Sequence, residues 1–430
     1  MSGASADTIF ALASGAGRAA IAVLRISGPE SAAALTALCG RLPPARRAVA
    51  RALRGADGEV LDRAMVVWLP GPGTYTGENC AELFLHAGPA VVDAVAGALG
   101  ELGLRPAEAG EFTRRAFLNG KLDLVEAEAV HDLVAAETDA QRRQALRQLD
   151  GALGALYRGW SERLRLALSR QEALIDFPDE DLPPEVEADL VGAVRALRAE
   201  IAAHLDDGHR GEKLREGLFF AIGGAPNVGK SSLINALAER DVAIVSALPG
   251  TTRDAIECRV VLGGVPVTLV DTAGLRETAD PIEAEGVRRA RARAGSADLV
   301  VTVIEADAVF EPVSGGLVVA NKSDLRSDPR PEVIAVSALT GEGLDVLRAR
   351  LAERAVALTQ SGGPPPLTQA RHRVALQTAG RWLGEADDAA APELRGEAMR
   401  LALRALGSIT GQVGVEEILD AIFRQFCIGK

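Results

Sequence analysis

The spacing of apolar and polar positions changes several times along the 430-residue chain. In the first 118 residues, short apolar runs such as "AAIAVLRIS" and "AMVVWL" alternate with turns rich in glycine and proline. Runs of this length and spacing indicate strands mixed with helices. We therefore predict an α+β domain over residues 1–118.

A second kind of spacing begins near Lys121, where apolar residues recur every three or four positions. This period predicts long amphipathic helices. The stretch "FPDEDLPPEVE" interrupts them, and a further helix is predicted to run towards Arg215. After a Gly/Pro-rich linker around residues 360–369, helical spacing continues to the end. We predict one all-α domain in two parts, residues 119–215 and 359–430.

Between these parts, over residues 216–358, short buried strands such as "LFFAIGG", "DLVVTVIEA" and "GLVVANKSD" alternate with helices. Alternation of this kind predicts a mostly parallel sheet with helices on both faces. The segment "VVLGGVPV" predicts a tight hairpin at Gly263 and Gly264 that adds one antiparallel edge strand. An α/β domain is therefore inserted into the helical domain, which is tolerated where chain ends lie close together.

The composition adds limits on location and chemistry. Aromatic residues make up only 3% of the chain, which favours helices, and no long apolar run or secretory signal is present, so we predict a cytoplasmic protein without membrane association. The four cysteines are scattered, which argues against a zinc site or a disulfide framework. A net charge of −12 argues against nonspecific coating of nucleic acid, although arginines cluster near residues 41–54 and 288–293.

The inserted domain carries "GGAPNVGKSSLINAL" at residues 223–237. Gly224, Gly229, Lys230 and Ser231 fit the phosphate-loop pattern G-x-x-x-x-G-K-[ST], placed between a strand and a helix. Glycines let backbone N–H groups approach the phosphates, Lys230 supplies positive charge, and the Ser231 hydroxyl can ligate Mg²⁺. The residues predicted to hold the phosphates are Asn227, Val228, Gly229, Lys230, Ser231 and Ser232.

Three further motifs follow in the order typical of a Ras-like P-loop GTPase. Asp271 can reach the Mg²⁺ shell, and the carboxylate of Asp324 can accept two hydrogen bonds from the edge that guanine has and adenine lacks. The site is therefore predicted to prefer GTP. The three motifs contain Asp271, Thr272, Ala273 and Gly274; Asn321, Lys322 and Asp324; and Ser337, Ala338 and Leu339.

The water-orienting group and the role of Asn227 are left open by these patterns. Leu275 follows the second motif and has no polar group that could orient a water molecule. Asn227, together with "SALPGTTRD" at 246–254, could coordinate a monovalent cation or could simply stabilise a turn. The candidates for the water-orienting group are Glu277, Asp280, Glu283 and Glu285.

Motifs at both ends of the chain point beyond a GTPase. They are "IAVLRISGP" at 21–29, "YTGENCAELFLHAGP" at 75–89, "EFTRRAFLNGKLDLVEAEAVHDL" at 111–133 and the terminal "FCIGK". With these motifs and "PGTTRD", the chain resembles the MnmE (TrmE) family of tRNA-modification GTPases over nearly its full length. The resemblance implies a folate-binding, dimerising N-terminal domain. It also implies a GTP-driven enzyme that places an aminomethyl or carboxymethylaminomethyl group on carbon 5 of the wobble uridine of certain tRNAs.

The resemblance also implies partners and site residues. The partners are a second copy of the chain, tRNA, and an FAD-containing MnmG (GidA)-like protein in a heterotetramer or larger complex. Cys427 resembles the family's functional cysteine, proposed as nucleophile or acid/base, and Glu283 its water-orienting glutamate, acting with Lys230. The implied ligand sets are Arg25, Glu82, Lys121 and Lys430 for 5-formyl- or 5,10-methylenetetrahydrofolate; Ser231 and Thr252 for Mg²⁺; and Asn227, Ser246, Leu248 and Thr251 for K⁺.

Two other functions remain to be weighed against this one. Ribosome-associated assembly GTPases carry the same "PNVGKSSLINAL" and "PGTTRD" but lack the N-terminal domain and the "FCIGK" ending. Alternatively, the chain could be a regulatory GTPase that only scaffolds the flavoprotein, in which case Cys427 would be dispensable.

Overall fold

The computed structural model describes residues 7–15, 17–176, 184–240, 257–271, 297–305, 316–325, 333–360, 364–413 and 416–429. The chain forms two compact units. The first unit contains Met1–His131, Leu149–Arg163 and Leu403–Lys430, and the second contains Asp132–Gln148 and Leu164–Ala402.

The first unit contains a six-stranded sheet in the order β3-β4-β5-β2-β1-β6. Its strands pair antiparallel, except that β1 and β6 run parallel. This sheet and its helices agree with the predicted α+β domain. The strands are β1 Ile9–Leu12, β2 Ile21–Ser27, β3 Ala48–Arg54, β4 Val60–Leu69, β5 Cys80–His86 and β6 Arg105–Pro106.

Alternation along β2 and β5 separates a core face from a face that carries charge. Leu24 and Ile26 are buried in one cluster with Leu83 and Leu85 of β5. Because successive side chains of a strand point to opposite faces, Arg25 lies on the other side of the sheet. Arg25 is directly opposite Glu82 in the register of the two strands.

The second unit contains a six-stranded sheet in the order β12-β11-β10-β7-β9-β8. All neighbours pair parallel except β8 and β9. Gly263 and Gly264 join β8 to β9 with φ of 61° and 79°, the positive values that a two-residue hairpin requires, so the predicted antiparallel edge is confirmed. The strands are β7 Leu218–Gly224, β8 Glu257–Leu262, β9 Val265–Asp271, β10 Leu299–Glu305, β11 Leu317–Asn321 and β12 Ile334–Ala335.

The helices are shorter and more numerous than the periodic pattern predicts. The pattern after Lys121 forms three helices before residue 177, and the helix predicted to run to Arg215 is broken after Leu205. In chain order, the described helices are Ser31–Cys39, Pro89–Glu101, Glu111–Leu118, Leu124–Ala135, Asp139–Leu149, Ala152–Asp176, Pro184–Leu205, Arg210–Glu216, Lys230–Arg240, Leu344–Thr359, Ala370–Asp388, Pro392–Thr410 and Glu416–Phe423.

Residues 364–369, the described part of the segment predicted as a Gly/Pro linker that precedes the helix Ala370–Asp388, are non-helical but partly buried. Leu367 is 0% exposed and Thr368 is 2% exposed. The hydroxyl of Thr368 donates to Gln148 Oε1 at 2.8 Å. This part of the connection is therefore fixed by packing, in contrast to a solvated linker. None of the helices in the described ranges is long and apolar enough to span a bilayer.

Candidate functional site

The phosphate loop lies between β7 and the helix Lys230–Arg240. Gly224 has φ 141°, and a Cβ there would lie 2.1 Å from the carbonyl oxygen of Val303 on β10. Gly229 has φ 90°, and a Cβ there would lie 2.3 Å from Asn321 Nδ2. Both positions therefore require glycine, because the neighbouring strands leave no room for a side chain.

Asn321 joins the phosphate loop to the loop that carries the last motif. Its Nδ2 donates to the carbonyl of Val228 at 2.9 Å, and its Oδ1 accepts the N–H of Ala338 at 3.1 Å. Asn321 is 3% exposed, so both bonds are protected from water. The structure thus brings the first, third and fourth predicted motifs together at the carboxyl ends of the parallel strands.

The side chains of Lys230 and Ser231, predicted to contact phosphate and Mg²⁺, both bond oxygen atoms around the loop. Lys230 is 5% exposed, and its Nζ donates to the carbonyls of Gly224 and Ala225 at 3.1 and 2.8 Å. The Ser231 hydroxyl donates to Asp271 Oδ2 at 2.6 Å. A hydroxyl and a carboxylate side by side next to a phosphate site are oxygen ligands that suit Mg²⁺. Asn227, the predicted K⁺ ligand, lies exposed in the same loop with φ 65°.

The predicted base-recognition residues lie at the open edge of this site. Asp324 is exposed in a short 3₁₀ turn after β11, and Leu339 is 87% exposed. Lys322 has φ 64°, and its Nζ pairs with Glu305 at 2.6 Å. A carboxylate and an apolar side chain at an open edge are compatible with guanine binding. Ser232 follows Ser231 in the first turn of the helix Lys230–Arg240.

Many of the predicted catalytic and ion-binding residues lie outside the described residues. The predictions for them are therefore not tested by the geometry. They are Ser246, Leu248, Thr251, Thr252, Glu277, Asp280, Glu283, Glu285 and Lys430, and the predicted nucleotide-binding residues Thr272, Ala273 and Gly274 lie outside the described residues as well.

The first unit brings together two of the residues predicted for folate. Arg25 Nε and NH2 both donate to Glu82 Oε1, at 3.1 and 2.9 Å. The guanidinium carbon of Arg25 lies 5.7 Å from the ring centre of Tyr75 and 5.8 Å from that of Phe112. Arg25 therefore contacts two aromatic rings and one carboxylate, and this arrangement suits a flat heterocycle with hydrogen-bonding edges.

Tyr75 belongs to a loop that buried hydrogen bonds hold in place. Its hydroxyl and that of Thr113 are 2.8 Å apart. Burial raises the pKa of Tyr75, against the opposing effects of Thr113 and Arg25, so the phenol stays protonated. The next residue, Thr76, is fully buried and lies 2.8 Å from the hydroxyl of Ser27. The loop is thus fixed to β2 and to the helix Glu111–Leu118.

Behind this loop lies a network of charged side chains around Arg115. Arg115 is 4% exposed and bonds Glu78, Asp7 and Glu111 at 3.2, 2.8 and 3.1 Å. Burial opposes its charge, but the carboxylates of Glu78 and Glu111 outweigh burial and raise the pKa of Arg115. Glu78 also accepts the Ser27 hydroxyl at 2.7 Å. Arg115 therefore supports the Tyr75 loop from beneath.

Lys121 is exposed and lies next to the same loop. Its Cγ and Cε pass 3.4 Å from the position that a Cβ on Gly77 would take. Lys121 also lines a cavity of about 740 Å³ with Asp123, Arg158 and Thr410. The structure therefore places Lys121 and Arg25 next to the same loop, near Gly77 and Tyr75 respectively.

Cys427 is exposed near the C-terminus. Its carbonyl accepts the N–H of Gly110 at 3.5 Å, and the next residue, Ile428, forms an isolated bridge with Ala109. A Cβ on Gly429 would lie 2.2 Å from the carbonyl of Leu12 at the end of β1. The C-terminal segment therefore packs against the N-terminal domain, close to β1, which pairs with the strand β2 that carries Arg25.

Tyr75, Phe112 and Arg115 were not singled out from the sequence. Tyr75 and Arg115 occur in the "YTGE" and "EFTRRAF" stretches that carry the family resemblance, so the resemblance was the available signal. No local pattern marks them, because each acts through residues distant in the chain.

Comparisons with known proteins match nearly the whole chain. A profile described as "MnmE helical domain" matches residues 124–427, and one described as "GTP-binding protein TrmE N-terminus" matches residues 8–121. A protein named tRNA modification GTPase MnmE from Gluconacetobacter diazotrophicus is 60% identical over 98% of this chain and 98% of its own length. Proteins of the same name from Granulibacter bethesdensis and Rhodospirillum rubrum are 58% and 56% identical over 99% of this chain, and over 100% and 99% of their own lengths. The chain belongs to the MnmE (TrmE) family.

Proposed function

We propose that this protein is a tRNA modification enzyme driven by GTP hydrolysis. With an FAD-containing MnmG-like partner, it adds an aminomethyl or carboxymethylaminomethyl group to carbon 5 of the wobble uridine of certain tRNAs. The observation that carries the proposal is the 60% identity with a tRNA modification GTPase over 98% of both chains. Identity at this level includes both end regions, which a GTPase alone does not need.

GTP hydrolysis is proposed to use the phosphate loop and two bound cations. The loop amides and Lys230 hold the phosphates, while Ser231, Asp271 and Thr252 hold Mg²⁺. K⁺ at Asn227, Thr251 and the carbonyls of Ser246 and Leu248 would supply further positive charge beside the phosphates. Glu283 is proposed to orient the attacking water, whose oxygen bonds the γ-phosphorus as the bond to the β–γ bridging oxygen breaks, which yields GDP and phosphate.

The N-terminal site is proposed to hold the one-carbon donor, 5-formyl- or 5,10-methylenetetrahydrofolate. Glu82 would accept the amide and amino edge of the pterin, and Arg25 would orient that carboxylate. Lys121 and Lys430 would pair with the glutamate tail of the folate. The observed Arg25–Glu82 pair between two aromatic rings supports this assignment. Cys427 is proposed as nucleophile or acid/base in the modification, since a thiolate is the reactive form of cysteine.

The assembly is proposed to be a homodimer that joins the flavoprotein in a heterotetramer or larger complex in the cytoplasm. Two GTPase domains meeting face to face would bring K⁺ and Glu283 into place. Dimerisation would then switch hydrolysis on.

The test is a mass-spectrometric analysis of wobble uridines in total tRNA from cells with and without the gene. We expect the aminomethyl-type uridines to disappear without the gene and to return when the wild-type gene is restored. A Cys427→Ser gene should fail to restore them although its purified product hydrolyses GTP. An unchanged nucleoside profile in the deletion strain would instead favour the ribosome-associated GTPase switch. Restoration by Cys427→Ser would reject the role of the thiol and favour a scaffold.

A further inference from the structure

The two chain segments that flank the GTPase sheet meet in a cluster of mostly buried charged side chains within the second unit. We call this cluster the root cluster; it consists of Asp207, His209, whose side chain is 57% exposed, and Glu212, together with the buried Arg373. The first three precede β7, and Arg373 follows the sheet and lies 161 positions after Glu212. The cluster therefore joins the chain before the GTPase sheet to the chain after it.

Arg373 is the centre of the root cluster. Its Nε and NH2 bond the carboxylate of Glu212 at 3.0 to 3.2 Å, its NH2 bonds Asp207 Oδ1 at 2.7 Å, and its NH1 donates to the carbonyl of Leu205 at 2.9 Å. All three guanidinium nitrogens are thus bound to the segment that precedes β7, which we call the incoming segment. A planar guanidinium held in this way fixes orientation as well as distance.

Burial makes these bonds difficult to exchange for water. The side chains of Arg373 and Glu212 are each 10% exposed, and that of Asp207 is 14% exposed. Burial opposes the charge of Arg373, but its bonds to Glu212 and Asp207 outweigh burial and raise the pKa of the guanidinium. Removal of one partner from such a cluster leaves a buried charge without compensation, so the cluster opens as a unit or remains closed.

A second contact joins the incoming segment to the sheet itself. Lys213 pairs with Asp298 at 3.2 Å. Asp298 precedes β10, and its carboxylate accepts the N–H of Phe219 on β7 at 3.0 Å, while its own N–H donates to the carbonyl of Phe219 at 2.8 Å. β7 leads directly into the phosphate loop, so Lys213 lies on the same continuous segment as the nucleotide site, with residues 214–223 between Lys213 and Gly224.

The two segments also touch through their backbones. A Cβ on Gly211 would lie 2.1 Å from the carbonyl oxygen of Leu367, so the incoming helix passes directly against the outgoing chain. Gln144 Nε2 donates to the carbonyl of Gly211 at 3.0 Å, and Gln141 Nε2 donates to that of Arg215 at 3.0 Å. The helix Asp139–Leu149 therefore also binds the incoming segment, next to the place where that segment contacts the outgoing chain.

We propose that Arg373 is a positioning residue of the GTP cycle. Through the root cluster, Arg373 makes the GTPase sheet and the helix Ala370–Asp388 one cooperative unit. Nucleotide bound at the phosphate loop then stabilises that helix as well as the sheet. Residues that open together share the stabilisation that a ligand provides. This inference rests on GTP binding and does not require the tRNA chemistry.

The test is amide hydrogen exchange on the full-length protein, with and without a non-hydrolysable GTP analogue. At about 100 times Kd of the analogue, linkage slows exchange by up to roughly 100-fold in every segment that opens with the nucleotide site. In the wild type we expect slower exchange in the phosphate loop and throughout Ala370–Asp388. Slowing confined to the phosphate loop would overturn the proposal, whatever the state of tRNA modification.

Two variants and one control locate the effect. Glu212→Gln with Arg373→Met removes the central pair without leaving Glu212 charged, and Asp298→Asn keeps an acceptor for Phe219 but removes the ion pair with Lys213. We expect the double variant to abolish the nucleotide effect in the helix and Asp298→Asn to reduce it, with protection of the phosphate loop retained in both. Persistence of the full effect in the double variant would contradict the role of the root cluster, and its persistence in Asp298→Asn would contradict the role of the Lys213–Asp298 contact. The control, Arg400→Met, breaks pairs with Glu172 and Glu397 that are about half exposed and should behave as wild type.

Discussion

The phosphate loop and the Arg25–Glu82 site are constructed in opposite ways. The phosphate loop is one continuous segment whose contacts are mainly backbone atoms, and its glycines pack against Val303 and Asn321. The Arg25–Glu82 site is assembled from side chains of β2, β5, the loop around Tyr75 and the helix Glu111–Leu118. The phosphate loop depends on free space around its main chain, whereas the Arg25–Glu82 site depends on ion pairs between neighbouring side chains.

This difference determines how each site fails. A backbone site tolerates no added atom, because the strands beside it cannot move without disrupting the sheet. A side-chain site tolerates changes of volume better but loses its geometry when one charge is removed and its partners are left buried. Substitutions that add a methyl group and substitutions that remove a charge should therefore affect the two sites in opposite ways.

The largest effect on ligand binding is expected from Gly224→Ala. The added Cβ would lie 2.1 Å from the Val303 carbonyl, at a φ of 141° that alanine rarely adopts. A residue held in an unfavourable backbone conformation costs about 1–3 kcal/mol, and the close contact with Val303 adds to this cost. We therefore expect the affinity for GDP to fall by roughly 100-fold. Titration with a fluorescent GDP analogue measures the change. Gly192→Ala, in a helix with no atom within 4 Å of the new Cβ, is the matched control and should bind GDP normally.

The next effect is expected from Arg115→Met in the network behind the Tyr75 loop. Arg115 is 4% exposed, and its loss leaves Glu78 and Glu111 without their buried partner. Breaking a buried ion pair costs about 3–5 kcal/mol, which should appear in the free energy of unfolding. The phosphate loop should retain its affinity for GDP, because no contact with it is altered.

Arg105→Met is the control for that prediction. Arg105 bonds Asp7 and Glu111, two of the same acids, but is 42% exposed, so its loss should cost only about 1 kcal/mol. Urea unfolding followed by the fluorescence of Trp68 reports on this sheet, once Trp160 and Trp382 are replaced by Phe. Equal losses for the two variants would mean that burial does not set the strength of the network.

The same contrast explains what the sequence could predict. The phosphate loop and the hairpin at Gly263 and Gly264 were predicted correctly because their signals are local and depend on backbone conformation. Arg25 and Glu82 read individually as single charges in strands, and only the register of β2 against β5 brings them together. Their assignment to folate therefore came from the family resemblance and remains a prediction.

The broken helix before β7 shows a second limit of sequence patterns. Helical spacing continues across Asp206–His209, so the pattern predicts one helix to Arg215. In the structure, His209 has φ 60° and donates its N–H to the carboxylate of Asp207 at 2.9 Å. Such short-range bonds offer the backbone an alternative to the helix, and the buried partner that selects it, Arg373, lies far along the chain.

A smaller effect is expected at Tyr75. Tyr75→Leu removes the ring beside Arg25 and the bond to Thr113, whereas Tyr75→Phe removes only that bond. A cation–π contact is worth about 0.5–2 kcal/mol, so we expect the leucine variant to bind 5-formyltetrahydrofolate roughly 10-fold more weakly than wild type. Isothermal titration calorimetry measures both variants. If the leucine variant binds as well as the phenylalanine variant, the ring does not position Arg25 for the ligand.

The smallest effect is expected in the pH dependence of the free energy of unfolding, to which the two units contribute in different pH ranges. Burial lowers the pKa of His204, which lies in the second unit, below its usual 6.5. Burial opposes the charge of Glu111 in the first unit, but its bonds to Arg105, the Glu108 N–H and Arg115 outweigh burial and lower its pKa below 4.5.

The shift of Glu111 stabilises the folded protein at neutral pH, whereas the shift of His204 makes charging of the buried imidazole costly at low pH. Both therefore lower the free energy of unfolding on acidification, because the unfolded state binds protons first in each case. The contribution of His204 should begin to fall as pH drops below about 6.5, and that of Glu111 only below about 4.5. Urea titrations between about pH 3 and 8, which extend below the usual pKa of a glutamate, measure the free energy of unfolding. His204→Asn should flatten the profile near pH 6 and leave the lower limb unchanged. A profile with the same slope near pH 6 in that variant would show that another group titrates there.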